Sequence, residues 1–94
     1  MEFEQKIHPT ALIHPKSKLH SSVKVGAYSV IGKSVEIKEG SEVGNFVTLT
    51  GNTVIGKNNK IYHYCSLGEV PQDKKFKNEK AYLSIGDGNT IREF

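Results

Sequence analysis

The 94-residue chain has a single cysteine, so no disulfide can form within it, and a reducing compartment is the simplest setting. No apolar run comes near the roughly 20 residues that a membrane-spanning helix needs. The first six residues, Met1 to Lys6, contain two glutamates and no apolar stretch, unlike a secretory signal. These absences point to a soluble, cytoplasmic chain. Charge of one sign is also scarce: the net charge is +3, too small to argue for a nucleic-acid partner. Hydrophobic residues make up only 36% of a chain already near the lower size limit for an unaided core. A fold that buries one thin stripe per strand suits that shortage.

What the sequence does contain is a repeat. Stepping by six from Ile7 gives Ile13, Leu19, Val25, Ile31, Ile37, Val43, Leu49, Ile55, Ile61 and Leu67, all aliphatic. The position four further on, from Ala11 to Cys65, is small or β-branched except at Asn59. Glycine directly follows the aliphatic at Gly26, Gly32, Gly44, Gly56 and Gly68. A helix would need apolar spacings of three and four, and a flat strand alternates every two. Six residues suit a short strand and a bend, with the aliphatic inside and the glycine expected to supply an unusual φ at the corner. Three such units close a triangular coil of 18 residues, and coils stack at about 4.8 Å. The expected architecture is all-β, a parallel β-helix of about four coils. Ile7, Val25, Val43 and Ile61 should share one face, Ile13, Ile31, Leu49 and Leu67 a second, and Leu19, Ile37 and Ile55 the third. The repeat does not choose a hand, although the general crossover rule favours right-handed winding.

The pattern stops after Leu67 and returns at Ile85 and Ile91. Continuing the step would bury Asp73 and Glu79, which a thin apolar core would not accept unpaired. A protruding loop near residues 68–84 is therefore expected, and long loops on rigid scaffolds tend to carry function. The spacing leaves open whether the loop replaces two strands or is inserted between neighbours.

Several stretches are more specific than the repeat: Ile7-His8-Pro9-Thr10-Ala11, Asn58-Asn59-Lys60-Ile61-Tyr62, Cys65 to Lys74, and Ile85 to Glu93. In this order, with this loop length, they resemble the UDP-N-acetylglucosamine O-acyltransferases of lipid A biosynthesis over nearly the whole chain. The segment from Ser66 to Lys75 is the most distinctive. The resemblance implies left-handed winding and makes residues 1–94 the N-terminal portion of a longer β-helix. It implies transfer of an (R)-3-hydroxyacyl group from acyl carrier protein to the 3-hydroxyl of UDP-N-acetylglucosamine. It also implies a homotrimer with active sites between subunits, and no cofactor or metal. Asp73 and Lys75 match the family's loop residues. The aspartate would accept a hydrogen bond from a sugar or acyl hydroxyl, and the lysine would face the acyl donor or anionic groups. Gln72 beside them is a further substrate contact. The family's catalytic histidine, its nucleotide-binding residues and its C-terminal helical domain fall beyond Phe94. The 94 residues alone are therefore expected to be inactive.

Other residues have plainer readings. His8, His14 and His20 recur every six residues, which places them on three different faces, so they cannot converge on one metal ion. His63 is expected at the surface or at a subunit contact rather than as the base. Cys65 occupies a small inward position and reads as a buried structural thiol. Lys74, Lys75, Lys77 and Lys80 form a basic cluster suited either to solvent or to an acidic carrier protein. Two other functions compete: a different hexapeptide-repeat acyl- or acetyltransferase, and a non-catalytic β-helix used for binding or assembly. An ice-binding solenoid would want a regular threonine array, and the outward positions here are instead mixed.

Overall fold

The computed structural model describes residues 6–68 and 82–92. Every regular element among them is a β-strand, and all pairings are parallel. No helix among the described residues is long and apolar enough to cross a membrane. The strands form three sheets of four. The first contains β1 (Leu12–Ile13), β4 (Val30–Ile31), β7 (Thr48–Leu49) and β10 (Ser66–Leu67). The second contains β2 (Lys18–Leu19), β5 (Val35–Ile37), β8 (Asn52–Ile55) and β11 (Tyr82–Ile85). The third contains β3 (Lys24–Val25), β6 (Glu42–Val43), β9 (Lys60–Ile61) and β12 (Thr90–Ile91).

Consecutive strands always belong to different sheets, so the chain winds as a three-sided solenoid. The three stacks expected from the six-residue step are all present. Ile13, Ile31, Leu49 and Leu67 are register partners, and Leu19, Ile37 and Ile55 follow suit. Ile7 bridges to Val25, which continues through Val43 to Ile61. Two-residue strands cannot stabilise themselves, because their backbone groups find partners only in the coil above or below. His14 N–H donates to Ile31 O at 3.0 Å and Gly32 N–H to Leu49 O at 2.8 Å, and the same pattern recurs along each sheet. Val25, Ile31, Ile37, Val43, Leu49, Ile55 and Ile61 of the six-residue step, with Val23, Val35, Val47 and Cys65 from the position four further on, make one buried core; Ile13, Leu19 and Leu67 pack against it half-buried, and Ile7 is exposed.

The corner glycines do a different job from the one expected. Of the five that follow an inward aliphatic, only Gly68 has a positive φ, at 81°. Gly26, Gly44 and Gly56 lie where coils pass too closely for a side chain, whereas a Cβ on Gly32 would make only ordinary contacts. A Cβ on Gly44 would meet His63 Nδ1 at 2.7 Å, and one on Gly56 would meet the Gly86 carbonyl at 2.8 Å. Left-handed backbone occurs instead two residues later, at Tyr28, Phe46, Asn58 and Tyr64, with φ between 57° and 66°. Gly40 and Gly88 fill the same turn position. Glycine and asparagine accept that conformation readily, whereas an L-aromatic pays roughly 1–2 kcal/mol.

Asn59, the exception at the small position, belongs to a polar ladder. Ser29 Oγ donates to Gly44 O at 2.7 Å and accepts from Val47 N–H at 3.0 Å. One column over, Ser41 Oγ donates to Gly56 O at 2.7 Å and accepts from Asn59 N–H at 3.0 Å. Asn59 repeats the motif with its amide: Nδ2 donates to Gly86 O and Oδ1 accepts from Asn89 N–H, both at 2.7 Å. All three side chains are buried, and no buried side-chain nitrogen or oxygen among the described residues lacks a partner. The position selects for a small group that can either fill space or bridge two backbone groups of the next coil.

Candidate functional site

Around the interruption of the repeat, the described residues end at Gly68, just after β10, and resume at Tyr82, where β11 begins. The open question of its placement has a clear answer. β11 pairs with β8, placing Ile85 on Ile55. These partners are thirty residues apart rather than eighteen, so the excursion is an insertion of twelve residues between sheet-one strand β10 and sheet-two strand β11. No strand of the solenoid is lost. The returning strand starts at Tyr82, inside the expected 68–84 segment, because β8 offers four residues of ladder from Asn52 to Ile55. Strands of the second sheet lengthen from two residues in β2 to three in β5 and four in β8 and β11.

The loop's departure point is tightly specified. Gly68 lies against the Thr50 carbonyl and the Thr53 hydroxyl, with no room for a Cβ, and its φ of 81° also favours glycine. Thr53, fully buried, donates its hydroxyl to Thr50 O at 2.7 Å. The return is held by two of the distinctive stretches, which prove to be stacked neighbours. Lys57 N–H donates to Asp87 Oδ1 and Gly88 N–H to Lys57 O, both at 2.8 Å. Lys60 N–H reaches Asn89 O at 2.9 Å, Tyr62 N–H reaches Ile91 O at 2.8 Å, and the Arg92 guanidinium lies 4.4 Å from the centre of the Tyr62 ring. Asn59 ties the same two coils together. Residues 58–62 and 85–92 thus act as a clamp that fixes where the loop ends.

Asn59→Ala should selectively loosen this clamp. Losing the two amide hydrogen bonds is expected to cost about 1–3 kcal/mol. Amide hydrogen exchange at Asn89 should accelerate while Ile31 and Leu49 stay protected. Unchanged protection at Asn89 would count against the clamp.

The loop residues Gln72, Asp73 and Lys75, and the lysine cluster of Lys74, Lys75, Lys77 and Lys80, lie outside the described residues. The corner from which the loop departs is basic on its own account. Lys16, Lys18 and Lys33 line a shallow cavity of about 210 Å³ together with Glu36 and Asn52.

The histidines are turn and ladder residues. His8, His14 and His20 sit on three different faces, as expected. His14 Nδ1 accepts the Lys16 N–H at 3.0 Å, and His8 and His20 accept the N–H of Thr10 and Ser22 at 3.2 and 3.1 Å. His63 is exposed, and its Nδ1 accepts the Asn45 N–H of the coil below at 2.8 Å. Among the described residues no group of histidine, cysteine, aspartate or glutamate could hold a metal ion. Cys65 is 6% exposed, in line with a structural thiol.

Two features escaped the reading of the sequence: the polar ladder and an exposed column of aromatic rings at Tyr28, Phe46 and Tyr64. The polar exception at Asn59 and the eighteen-residue spacing of the three aromatics were the available signals.

The fold and the repeat define a hexapeptide-repeat parallel β-solenoid, and residues 16–51 match the family model described as bacterial transferase hexapeptide (six repeats). Over 88 residues the chain is 58% identical to the acyl-[acyl-carrier-protein]–UDP-N-acetylglucosamine O-acyltransferase of Neisseria meningitidis, a match covering 94% of this chain and 34% of that enzyme. A crystal structure of UDP-N-acetylglucosamine acyltransferase superposes with a TM-score of 0.89 at 46% identity, covering 96% of this chain and 35% of the other. The UDP-N-acetylglucosamine O-acyltransferase of Moraxella catarrhalis gives 0.88 at 42% identity, with coverage of 95% and 35%. The chain spans about a third of the length of the acyltransferases that it matches.

Proposed function

We propose that these residues form the N-terminal portion of the β-helix domain of an acyl-carrier-protein-dependent UDP-N-acetylglucosamine O-acyltransferase, the enzyme class that opens lipid A biosynthesis. The observation that carries this reading is the 58% identity to such an enzyme over 88 residues, 94% of the chain. In the reaction, the 3-hydroxyl of the sugar attacks the thioester carbonyl of an (R)-3-hydroxyacyl carrier protein. A C–O bond forms, the C–S bond breaks, and the hydroxyl proton passes by way of a general base to the departing thiolate. The base in this reading is a histidine outside residues 1–94. The contribution of this chain is positioning. Asp73 accepts a hydrogen bond from a sugar or acyl hydroxyl, Lys75 faces the donor or anionic groups, and Gln72 lies beside them as a further contact. The enzyme works as a cytoplasmic homotrimer with its sites in clefts between subunits.

The rigid frame around the loop supports this assignment. A twelve-residue insertion anchored at Gly68 on one side and by the Asn59 clamp on the other can present side chains reproducibly at a cleft. The basic lining of Lys16, Lys18 and Lys33 at the same corner suits an acidic carrier protein.

The test is to incubate the protein at its native length with (R)-3-hydroxyacyl carrier protein and UDP-N-acetylglucosamine, and to read the acylated nucleotide sugar by mass spectrometry. Asp73→Ala and Lys75→Ala should each lower kcat/KM by about 10- to 100-fold, the worth of one charge-assisted hydrogen bond. Absence of product, or preferential use of an acyl-CoA donor, would replace this reading with another hexapeptide-repeat transferase or a non-catalytic solenoid.

A further inference from the structure

The corner between the first and second sheets occurs three times before the loop, and its third copy is closed differently. In the first coil Ser17 N–H closes the turn on His14 O at 3.0 Å, and the Ser17 hydroxyl adds a second bond at 2.7 Å. In the second, Val35 N–H closes it on Gly32 O at 3.4 Å. In the third, Thr53 N–H donates instead to Ser34 O of the preceding coil at 3.3 Å. There the turn is closed by the side chain, with Thr53 Oγ1 donating to Thr50 O at 2.7 Å.

This exchange of a backbone donor for a hydroxyl bears on the strand that follows. β5 begins at Val35, which is the register partner of Thr53, whereas β8 begins one residue ahead of Thr53, at Asn52. The extra residue pairs with Tyr82, the first of β11, and Thr53 itself pairs with Leu83. The other stem of the loop meets the same group. Gly68 lies against the Thr53 hydroxyl and the Thr50 carbonyl, and Thr50 N–H donates to Leu67 O at 3.1 Å. One fully buried side chain therefore adjoins both the outgoing and the returning strand.

The corner as such does not need the hydroxyl. Val35 fills the equivalent position one coil earlier and is just as deeply buried. Threonine and valine share the same β-branched outline, so what separates the two corners is the bond to Thr50 O. That bond occurs where the loop departs.

We infer that Thr53 is a positioning residue for acyl transfer: its hydroxyl holds the corner in the form that sets the loop's exit at Gly68 and its return at Tyr82, and it acts on the reaction through Asp73 and Lys75. The effect on catalysis rests on the acyltransferase reading of the preceding section, whereas the effect on the two stems does not. A misplacement of about 1 Å transmitted from outside the reacting centre costs up to roughly 100-fold in rate, so a partial loosening of the stems should cost about tenfold.

The experiment uses the protein at its native length. Thr53→Val should fold with an unfolding midpoint close to that of wild type, since Val35 shows that the corner accepts valine. Its kcat/KM with (R)-3-hydroxyacyl carrier protein and UDP-N-acetylglucosamine should fall about tenfold. Thr53→Ser, which keeps the hydroxyl, should recover most of that loss. In an Asp73→Ala background the valine substitution should cost less than about threefold, because a group through which it acts is already gone. Amide exchange at Tyr82 and Leu83 should quicken in Thr53→Val while Ile31 and Leu49 stay protected. A Thr53→Val protein with wild-type kcat/KM would overturn the inference, as would a serine variant that recovers nothing. Losses that multiply in full with Asp73→Ala, or a midpoint that falls in step with activity, would make Thr53 a general structural residue and overturn its positioning role. No transfer by wild type would sink the acyltransferase reading instead. The exchange rates would then decide alone, and equal exchange at Tyr82 with and without the hydroxyl would overturn the control of the stems.

Discussion

Replacing Ser41 by alanine should destabilise the protein by roughly 2–5 kcal/mol, a large effect for the loss of one oxygen atom. The hydroxyl bridges two backbone groups of the next coil, donating to Gly56 O at 2.7 Å and accepting from Asn59 N–H at 3.0 Å. Ser41 and Asn59 are both fully buried. Alanine would leave the Asn59 N–H with no acceptor and the Gly56 carbonyl without its hydroxyl donor, each at a cost of about 1–3 kcal/mol. Water cannot substitute easily, because the void left by an oxygen atom is smaller than a water molecule needs. Urea unfolding monitored by circular dichroism measures the loss directly. A Ser41→Ala protein with the wild-type midpoint would mean that the ladder is incidental to stability. A consequence for function follows from position, since Asn59, the next rung, is the residue that clamps the strand returning from the loop.

Ile55→Ala should cost about 3–5 kcal/mol, the upper part of the range for buried aliphatic truncation. Ile55 is fully buried and stacked between its register partners Ile37 and Ile85. The lost volume cannot be recovered by collapse. The spacing of the three coils is held by Lys38 N–H to Ile55 O at 2.9 Å and Gly56 N–H to Ile85 O at 2.8 Å. In a quasi-one-dimensional fold each coil is stabilised mainly by its neighbours. A weak layer at Ile55 should therefore uncouple the segment beyond the loop from the coils before it, lowering both the midpoint and the steepness of unfolding. Lys60→Ala, on the exposed side of the next coil, should stay within about 0.5 kcal/mol of wild type. If the two variants unfolded alike, the inward stack would not be the source of stability.

The six-residue step was enough to assign strands, stacks and core, because in a solenoid each coil contacts only the next and the register follows directly from the period. The placement of His8, His14 and His20 on separate faces followed from the same arithmetic. The role of the corner glycines did not. Gly44 and Gly56 look like turn residues in sequence, yet they answer to the proximity of His63 and Gly86, residues 19 and 30 positions away. Asn59 likewise looked like a lapse in the pattern until Gly86 and Asn89 were seen across from it. The distinctive stretches at 58–62 and 85–92 were legible as signals, but their meeting across the loop was not.

The sequence by itself determined the three-sided parallel solenoid, its inward stacks, and the interruption after Leu67, since these depend on a period that is local and repeated. Only the tertiary structure decided that the loop is inserted rather than substituted, because the return of the pattern at Ile85 satisfies either arrangement until β11 is paired with β8. It also decided that Tyr28, Phe46 and Tyr64 form one exposed column. Side-chain stacking between coils depends on turn conformation as well as on spacing, and left-handed backbone at three aromatic residues is a choice that no local preference would predict.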